Sequence, residues 1–307
     1  MPVPILIDCD PGHDDAIAIL LAIASPEVDL LGITTVGGNS GLENTTRNAL
    51  QVLELARRPD IPVAAGAAHP LSVPLHIQDH VHGDSGLDGP DLPEPTSREL
   101  QIHAVDFIAE TVTSCDEAVT LIPTGPLTNV ALLLRRHPGI AERLDRIVLM
   151  GGGMAESNVT PAAEFNIWAD PEAADEVFSA GLDVTMVGLD VTHQALLAPG
   201  DIDRGAGDSA RVVAEFLDFF GHFHREVYGL EASPIHDAVA VAHVIWPDLL
   251  EVDAFDVAIE TVSPLTRGRT VVDLNRVTGR EPNTKVAVGI DGEQFARLLV
   301  ERLYRLP

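Results

Sequence analysis

The chain has 307 residues, 46% of them hydrophobic, and a net charge of −28 with histidine neutral. That charge excludes a broad basic footprint for nucleic acid and disfavours an anionic membrane surface, while the apolar fraction is ample for a buried core. Only Cys9 and Cys115 are present, in neither a metal pattern nor a disulfide framework, so a reducing compartment fits. The N-terminus lacks a basic region and a signal-type apolar run, and Ala16 to Ala24 is far shorter than the ~20 residues that span a bilayer. The expectation is a cytoplasmic protein that takes a neutral small molecule or a cation.

Pro4 to Ile7 reads as a buried strand that ends in Asp8, Cys9 and Asp10, followed by the breaker pair Pro11-Gly12. A helix follows from His13 to Ala24, stopped by Pro26. Val28 to Val36 reads as the next strand, closed by Gly37-Gly38-Asn39, and Glu43 to Arg58 as a helix. His69 to Thr96, rich in Pro, Gly, His and Asp, is too long for a plain connection, and such stretches carry function or are disordered. Ala118 to Ile122, Ile147 to Met150 and Val184 to Val187 are further buried strands. Ala206 to Tyr228 has helical spacing with Phe216, Phe219, Phe220, Phe223 and Tyr228; its simpler reading is a core-packing helix, its sharper one a ligand-facing lid. Strands near Val257 to Val262, Thr270 to Asp273 and Lys285 to Ile290 and a helix from Glu293 to Tyr304 complete the chain. Strands alternating with helices predict one α/β domain, residues 1–307, built on an open, mostly parallel sheet flanked by helices.

In such sheets ligands sit outside the carboxyl ends of the strands. Asp8 and Asp10, Asn39, Thr124 and Gly151 to Gly153 each follow a predicted strand, so they should share one edge. The sharpest local signal is DCDPGHDD, with Asp8, Asp10, Asp14 and Asp15 inside eight residues. Crowded carboxylates repel unless a cation neutralises them, and oxygen-only ligands suit Ca²⁺ or Mg²⁺. The segment is not an EF-hand loop: with Asp8 first, His13 stands where Gly is required and Ile19 where Glu is required. A helix N-terminus favours acids at Asp14 and Asp15, but that leaves Asp8 and Asp10 unexplained. The strand-D-x-D start also fits an aspartyl phosphotransferase using Mg²⁺ and a covalent Asp8, although Gly12 and the lack of a suitably placed lysine motif weigh against it. A non-catalytic module that uses the same residues only for binding is a further alternative. Beyond this cluster, SPIHDAVAVAH offers His236 as an acid and Asp237 as another carboxylate, or simply a helix cap. Asn158, Glu164 and Asn166 suit a sugar's hydroxyls or a solvated loop. In IPTGPLTN, Thr124 could offer its main-chain carbonyl to a cation.

Taken together, DCDPGHDD, Asn39 after Gly37-Gly38, VHGDSGLDG (Val81 to Gly89), PTGPLTN, MGGGM, NVTPAAEFN, SPIHDA and TVVD…PNTKVAV resemble the inosine–uridine preferring nucleoside hydrolase family along the whole chain. The resemblance implies Ca²⁺-dependent hydrolysis of ribonucleosides to base and ribose by a homodimer or homotetramer with no nucleic-acid or membrane partner. By likeness, Asp10, Asp15, the Thr124 carbonyl and Asp237 hold the ion, with Asp10 also the base for the attacking water. Asp14 and Asn166 serve the 2′-OH, Asp237 with Asn39 the 3′ side, and Asn158 and Glu164 the 5′-OH. Met150 lines the sugar pocket, and His82 and His236 flank the base, His236 as leaving-group acid. His224 and Tyr228 fall on a base-covering helix. Cys9 and His13 depart from the common pattern; His13 is expected at the pocket edge or in solvent. The His236-Asp237 pair implies a base-nonspecific or pyrimidine-leaning member.

Overall fold

Pro4 to Cys9 are all buried, which requires cover on both faces of the sheet that contains them. The computed structural model, which describes all residues from Met1 to Pro307, supplies that cover. The first half runs β1 (Val3–Cys9), α1 (His13–Ile23), β2 (Val28–Thr35), α2 (Leu42–Leu55), β3 (Val63–Ala65), α3 (Asp79–His82), α4 (Ala104–Ser114), β4 (Val119–Pro123), α5 (Thr128–Arg136) and β5 (Leu144–Met150). Then come α6 (Phe165–Ala169), α7 (Pro171–Ser179), β6 (Val184–Val187), α8 (Leu189–Thr192), β7 (Leu196–Leu197), α9 (Asp208–Tyr228) and β8 (Ser233–Pro234). The chain closes with α10 (His236–Ile245), β9 (Leu250–Phe255), β10 (Val257–Ile259), β11 (Thr270–Val272), β12 (Thr284–Ile290) and α11 (Gly292–Leu303).

Eight strands form an open sheet in the order β3-β2-β1-β4-β5-β6-β12-β9. All neighbours pair parallel except β9 against β12, as expected for the fold class. Side chains of β1 alternate between the two layers. Ile5 and Ile7 join the core under α1, α2, α9, α10 and α11, whereas Leu6 joins the one under α4, α5 and α7. The chain moves outward from β1 to β3, then returns to place β4 on the other side of β1. That reversal leaves a crevice at the carboxyl ends of β1 and β4, where ligands bind in sheets of this type. Asp8 pairs in register with Pro123, so the residues just beyond, Asp10 and Thr124, are neighbours by construction.

Several boundaries differ from expectation for local reasons. The helix expected through Arg58 stops at Leu55, because Arg57 takes a left-handed conformation with φ 54°. The strand expected to Val262 ends at Ile259, since the Glu260 carboxylate accepts the Val262 and Ser263 N–H groups and turns the chain. It pairs with β11 in a separate ribbon rather than in the main sheet. The edge strand β9 was not expected: LEVDAF exposes Glu251 and Asp253 and only half-buries Val252 and Ala254, so it lacks the continuous apolar run of the inner strands.

The long stretch from His69 to Thr96 is ordered, and α3 is its one helix. Its start is held by Asp170, fully buried, whose Oδ2 accepts the Leu71 N–H at 2.8 Å and the Thr128 hydroxyl at 2.6 Å. The same carboxylate caps α7 through Ala173 N–H. Its middle is held by the Asn48 amide donating to the Pro11 and Ser85 carbonyls, both at 2.9 Å. Asp170→Ala removes a cap and a tether together. We predict a loss of about 2–3 kcal/mol in urea unfolding, with Asp170→Asn losing less.

Candidate active site

The α1 helix begins immediately beyond β1. Gly12 carries no side chain to cap it; instead the Asp15 carboxylate reaches back to the Gly12 N–H at 3.0 Å. The first-turn amides favour negative charge at Asp14 and Asp15. From α10, which packs against α1, Asp237 projects toward them. Carboxylate oxygens of Asp14, Asp15 and Asp237 lie within 4.8 Å of one another. Asp10 stands beside this triple. Its Oδ2 accepts the Asn39 N–H at 2.6 Å, while its Oδ1 is buried with no hydrogen-bond partner. Gly38 and Gly125 press on it from both sides, and a Cβ at either would collide with its carboxylate.

Burial pushes every one of these carboxyls up. Asp14 rises to about 7 and Asp15 to about 6, burial being the main cause in both. Asp10 and Asp237 lie well above the usual range through burial first and their neighbours' charges second. No lysine or arginine lines the cavity to compensate. Asp14, Asp15 and Asp237, with the unpartnered oxygen of Asp10 and the Thr124 carbonyl nearby, form an all-oxygen donor set that fits a hard divalent cation. Thr124 adjoins the cluster: its hydroxyl donates to Asp15 Oδ1 at 2.8 Å and its carbonyl accepts the Asn166 amide at 2.7 Å.

Asp8 plays a different part. Its Oδ1 accepts Thr34 Oγ1 at 2.6 Å and Asn129 Nδ2 at 2.8 Å on the α5 side of the sheet. It is fully buried and outside the cavity, so a covalent Asp8 could not meet a phosphoryl group there.

Above the carboxylates opens a cavity of about 650 Å³, a size suited to a small organic ligand. Asp14, Asn39, Thr124 and Asp237 line it, with Asp10 and Asp15 buried behind. Met150, Asn158, Glu164 and Asn166 form one wall. Asn166 Nδ2 also donates to the Met150 carbonyl at 3.1 Å. Glu164 is the N-cap of α6, accepting the Gly152, Asn166 and Ile167 N–H groups, and burial lifts it to about 7. Asn158 Oδ1 accepts the Phe165 N–H. These two groups therefore shape backbone as well as face the cavity.

His82, His224, His236 and Tyr228 line the remaining wall. His236 Nδ1 lies 2.7 Å from the Thr192 hydroxyl, and burial with His193 and His224 nearby holds its pKa well below the ordinary value. Both readings of α9 apply to different parts of it. Phe216 and Leu217 are core residues, whereas Phe220, Phe223, His224 and the half-exposed Tyr228 face the cavity. His13 is fully buried between His82 and α9, neither in solvent nor on the cavity wall. Sequence reading missed His193, Thr192 and Trp168. The first two follow β6 and Gly188, so the strand-end rule that found Asn39 and Thr124 applies to them also.

A model of the inosine-uridine preferring nucleoside hydrolases matches residues 5–297. The chain belongs to that family. It is a nucleoside hydrolase, acting on ribonucleosides. It is 50% identical to the pyrimidine-specific ribonucleoside hydrolase RihA of Shewanella sp. strain ANA-3, over 99% of this chain and 96% of the relative. It is also 50% identical to RihA of Escherichia coli O1:K1 / APEC, over 99% of each. Among solved structures, the plant nucleoside hydrolase PpNRh1 superposes with TM-score 0.92 at 34% identity over 99% of each chain. The purine-preferring ribonucleoside hydrolase of Gardnerella vaginalis gives 0.91 at 33% over 98% of each.

The close approach of two glycines to Asp10 makes a direct test of its placement. Gly125→Ala should lower kcat/KM for ribose release by roughly 10²-fold, while costing only about 1–3 kcal/mol of stability. Thermal melting and ribose assays on the same preparation check both halves.

Proposed function

We propose that this nucleoside hydrolase is a Ca²⁺-dependent enzyme preferring pyrimidine ribonucleosides, with Asp10 as the base that activates water. The observation that carries the reading is the buried carboxylate cluster at the floor of a nucleoside-sized cavity. Asp10, Asp15, Asp237 and the Thr124 carbonyl would hold the ion, with Asp14 alongside. Bound there, it would supply positive charge against the carboxylates and coordination for the vicinal hydroxyls of ribose.

The remaining chemistry belongs to the side chains. Asp14 and Asn166 bind the 2′-OH, Asp237 and Asn39 the 3′-OH, and Asn158 and Glu164 the 5′-OH. Met150 packs against the sugar. A water below the ring gives its proton to Asp10, and its oxygen bonds to the anomeric carbon as the bond to the base nitrogen breaks. The bonding electrons leave with the base, and the buried carboxylates stabilise the positive charge that develops on the sugar. His82 and His236 flank the base, and Tyr228 covers it. Burial keeps His236 neutral near pH 7, so its help to the leaving base is a hydrogen bond from Nε2, with Nδ1 held by Thr192.

The pyrimidine preference rests on the RihA relatives and on the His236-Asp237 pair. The same reading makes one domain of residues 1–307, a cytoplasmic homodimer or homotetramer with no nucleic-acid or membrane partner. Two free cysteines support a reducing compartment and a net charge of −28 the lack of a nucleic-acid partner; no helix is long and apolar enough to cross a membrane.

Free ribose from uridine, cytidine, inosine, adenosine and guanosine, each with Ca²⁺ and with chelator, tests the proposal. Uridine and cytidine should turn over fastest, and chelation should abolish turnover; faster purine release would contradict the preference. Asp10→Asn should lose nearly all turnover while still binding ribose, and an unchanged kcat would remove Asp10 as the base. His236→Ala should cost about 10²-fold on uridine and much less on a riboside with an activated leaving group.

A further inference from the structure

The chain carries far more negative charge than its cavity uses. Asp and Glu number 47 against 19 Lys and Arg, for a net charge of −28. Solubility of a small domain asks for a net charge of only ~2–8. Folding concentrates the excess, because a chain of this length contracts from a radius of gyration of about 60 Å to about 20 Å. Like charges brought together in this way destabilise the compact state.

The cations do little to relieve it, because they are already engaged. Lys285 is the only lysine, and its Nζ is 2.8 Å from Asp183. All the arginines except Arg98, Arg143, Arg269 and Arg305 have a carboxylate within 4.0 Å. The arginine fork suits such pairs, and Arg58, Arg267 and Arg302 each hold both oxygens of one acid. The other carboxylates face solvent without a counter-charge. Glu110 stands on α4, over one face of the sheet, Glu293 on α11, over the other, and Glu251 on the edge strand β9, and all three are exposed. The acidity therefore surrounds the molecule and is not gathered into a patch for one basic partner. On α7, Glu172, Asp175 and Glu176 share a helix face at spacings of three and four residues. Asp175 has no cationic partner, and its carboxyl is raised by partial burial first and by the charges of Glu176 and Glu172 second.

We infer that the surface is matched to concentrated monovalent salt: a loosely held layer of K⁺ or Na⁺, at about molar concentration, screens the exposed carboxylates and stabilises the folded chain. The screening length is ~8 Å at 0.15 M salt and ~3 Å at 1 M. Side chains on adjacent helical turns are roughly 5–6 Å apart. Such neighbours still repel at the lower concentration and are screened from each other only at the higher one. The layer is diffuse and does not select K⁺ over Na⁺, unlike the enclosed donor set around Asp15.

Thermal unfolding at pH 7.5 with saturating Ca²⁺, in KCl from 0.1 to 3 M, tests this on wild type and two variants. Asp91, Glu99, Glu110, Glu117, Glu142 and Glu251 are exposed, and none forms an ion pair or a side-chain hydrogen bond. One variant combines Asp91→Asn, Glu99→Gln, Glu110→Gln, Glu117→Gln, Glu142→Gln and Glu251→Gln. The other places Lys at the same six positions, which doubles the change in charge. Wild-type Tm should rise by about 10 °C or more between 0.1 and 2 M KCl, and equally in NaCl. The rise should be smaller in the amide variant and smallest in the lysine variant. Salting-out of apolar surface acts alike on all three, so the difference between their slopes reads the charge alone. A wild-type Tm that stays flat or falls, or equal slopes in wild type and the amide variant, would overturn the inference; that comparison decides even where the lysine variant fails to fold. A wild type that shows the rise yet releases no ribose at any salt concentration would defeat the functional reading and leave this one standing.

Discussion

Mutual repulsion among buried carboxylates is the constraint on which the rest of the site depends. Asp10, Asp14, Asp15 and Asp237 are each at most 6% exposed, in a chain whose net charge of −28 adds to the cost of holding negative charge. The fold reduces that cost locally. The α1 amides face Asp14 and Asp15, the Asn39 main chain takes one oxygen of Asp10, and Thr124 and Gly12 take those of Asp15. What they leave over is an oxygen of Asp10 with no partner and carboxyls pushed upward by burial. A divalent cation satisfies both at once, which ties the metal requirement to the folded geometry rather than to any one ligand.

The opposite wall of the cavity solves a complementary problem. In the proposed reaction the base needs directional hydrogen bonds from groups that stay uncharged beside the carboxylate cluster. Burial lowers the pKa values of His13, His82 and His236 and so disfavours their charged forms. Thr192 Oγ1 holds His236 Nδ1, and the Asp88 carbonyl accepts from His13 Nε2. The long stretch before α4 thus contributes through main-chain geometry as well as through His82, and its anchoring by Asp170 and Asn48 becomes part of the site's preorganisation.

Most of this architecture is legible in the sequence because inner parallel strands are continuous apolar runs and their ends are marked by Asp, Gly, Asn or Thr. Strand-end polarity alone brings Asp10, Asn39 and Thr124 together, as the sheet reversal at β1 and β4 does. Asp237 and His236 are harder: their helix follows a two-residue strand, and only motif resemblance ties them to residues more than two hundred positions away. The edge strand β9 escaped because an alternating, half-exposed pattern looks like a polar connection. His13 escaped for a different reason. A histidine at a helix start gives no sign of whether it faces solvent, and its burial follows from α9, whose aromatic face closes over it from late in the chain.

Calorimetric titration of Ca²⁺ into chelator-treated protein near pH 7, in two buffers of different ionisation enthalpy, probes the central claim most directly. Carboxyls raised by burial carry protons until a cation replaces them. The account predicts one ion per chain, a net release of protons on binding, and loss of both in Asp237→Asn. No binding, or binding with no proton release that Asp237→Asn leaves unchanged, would contradict it.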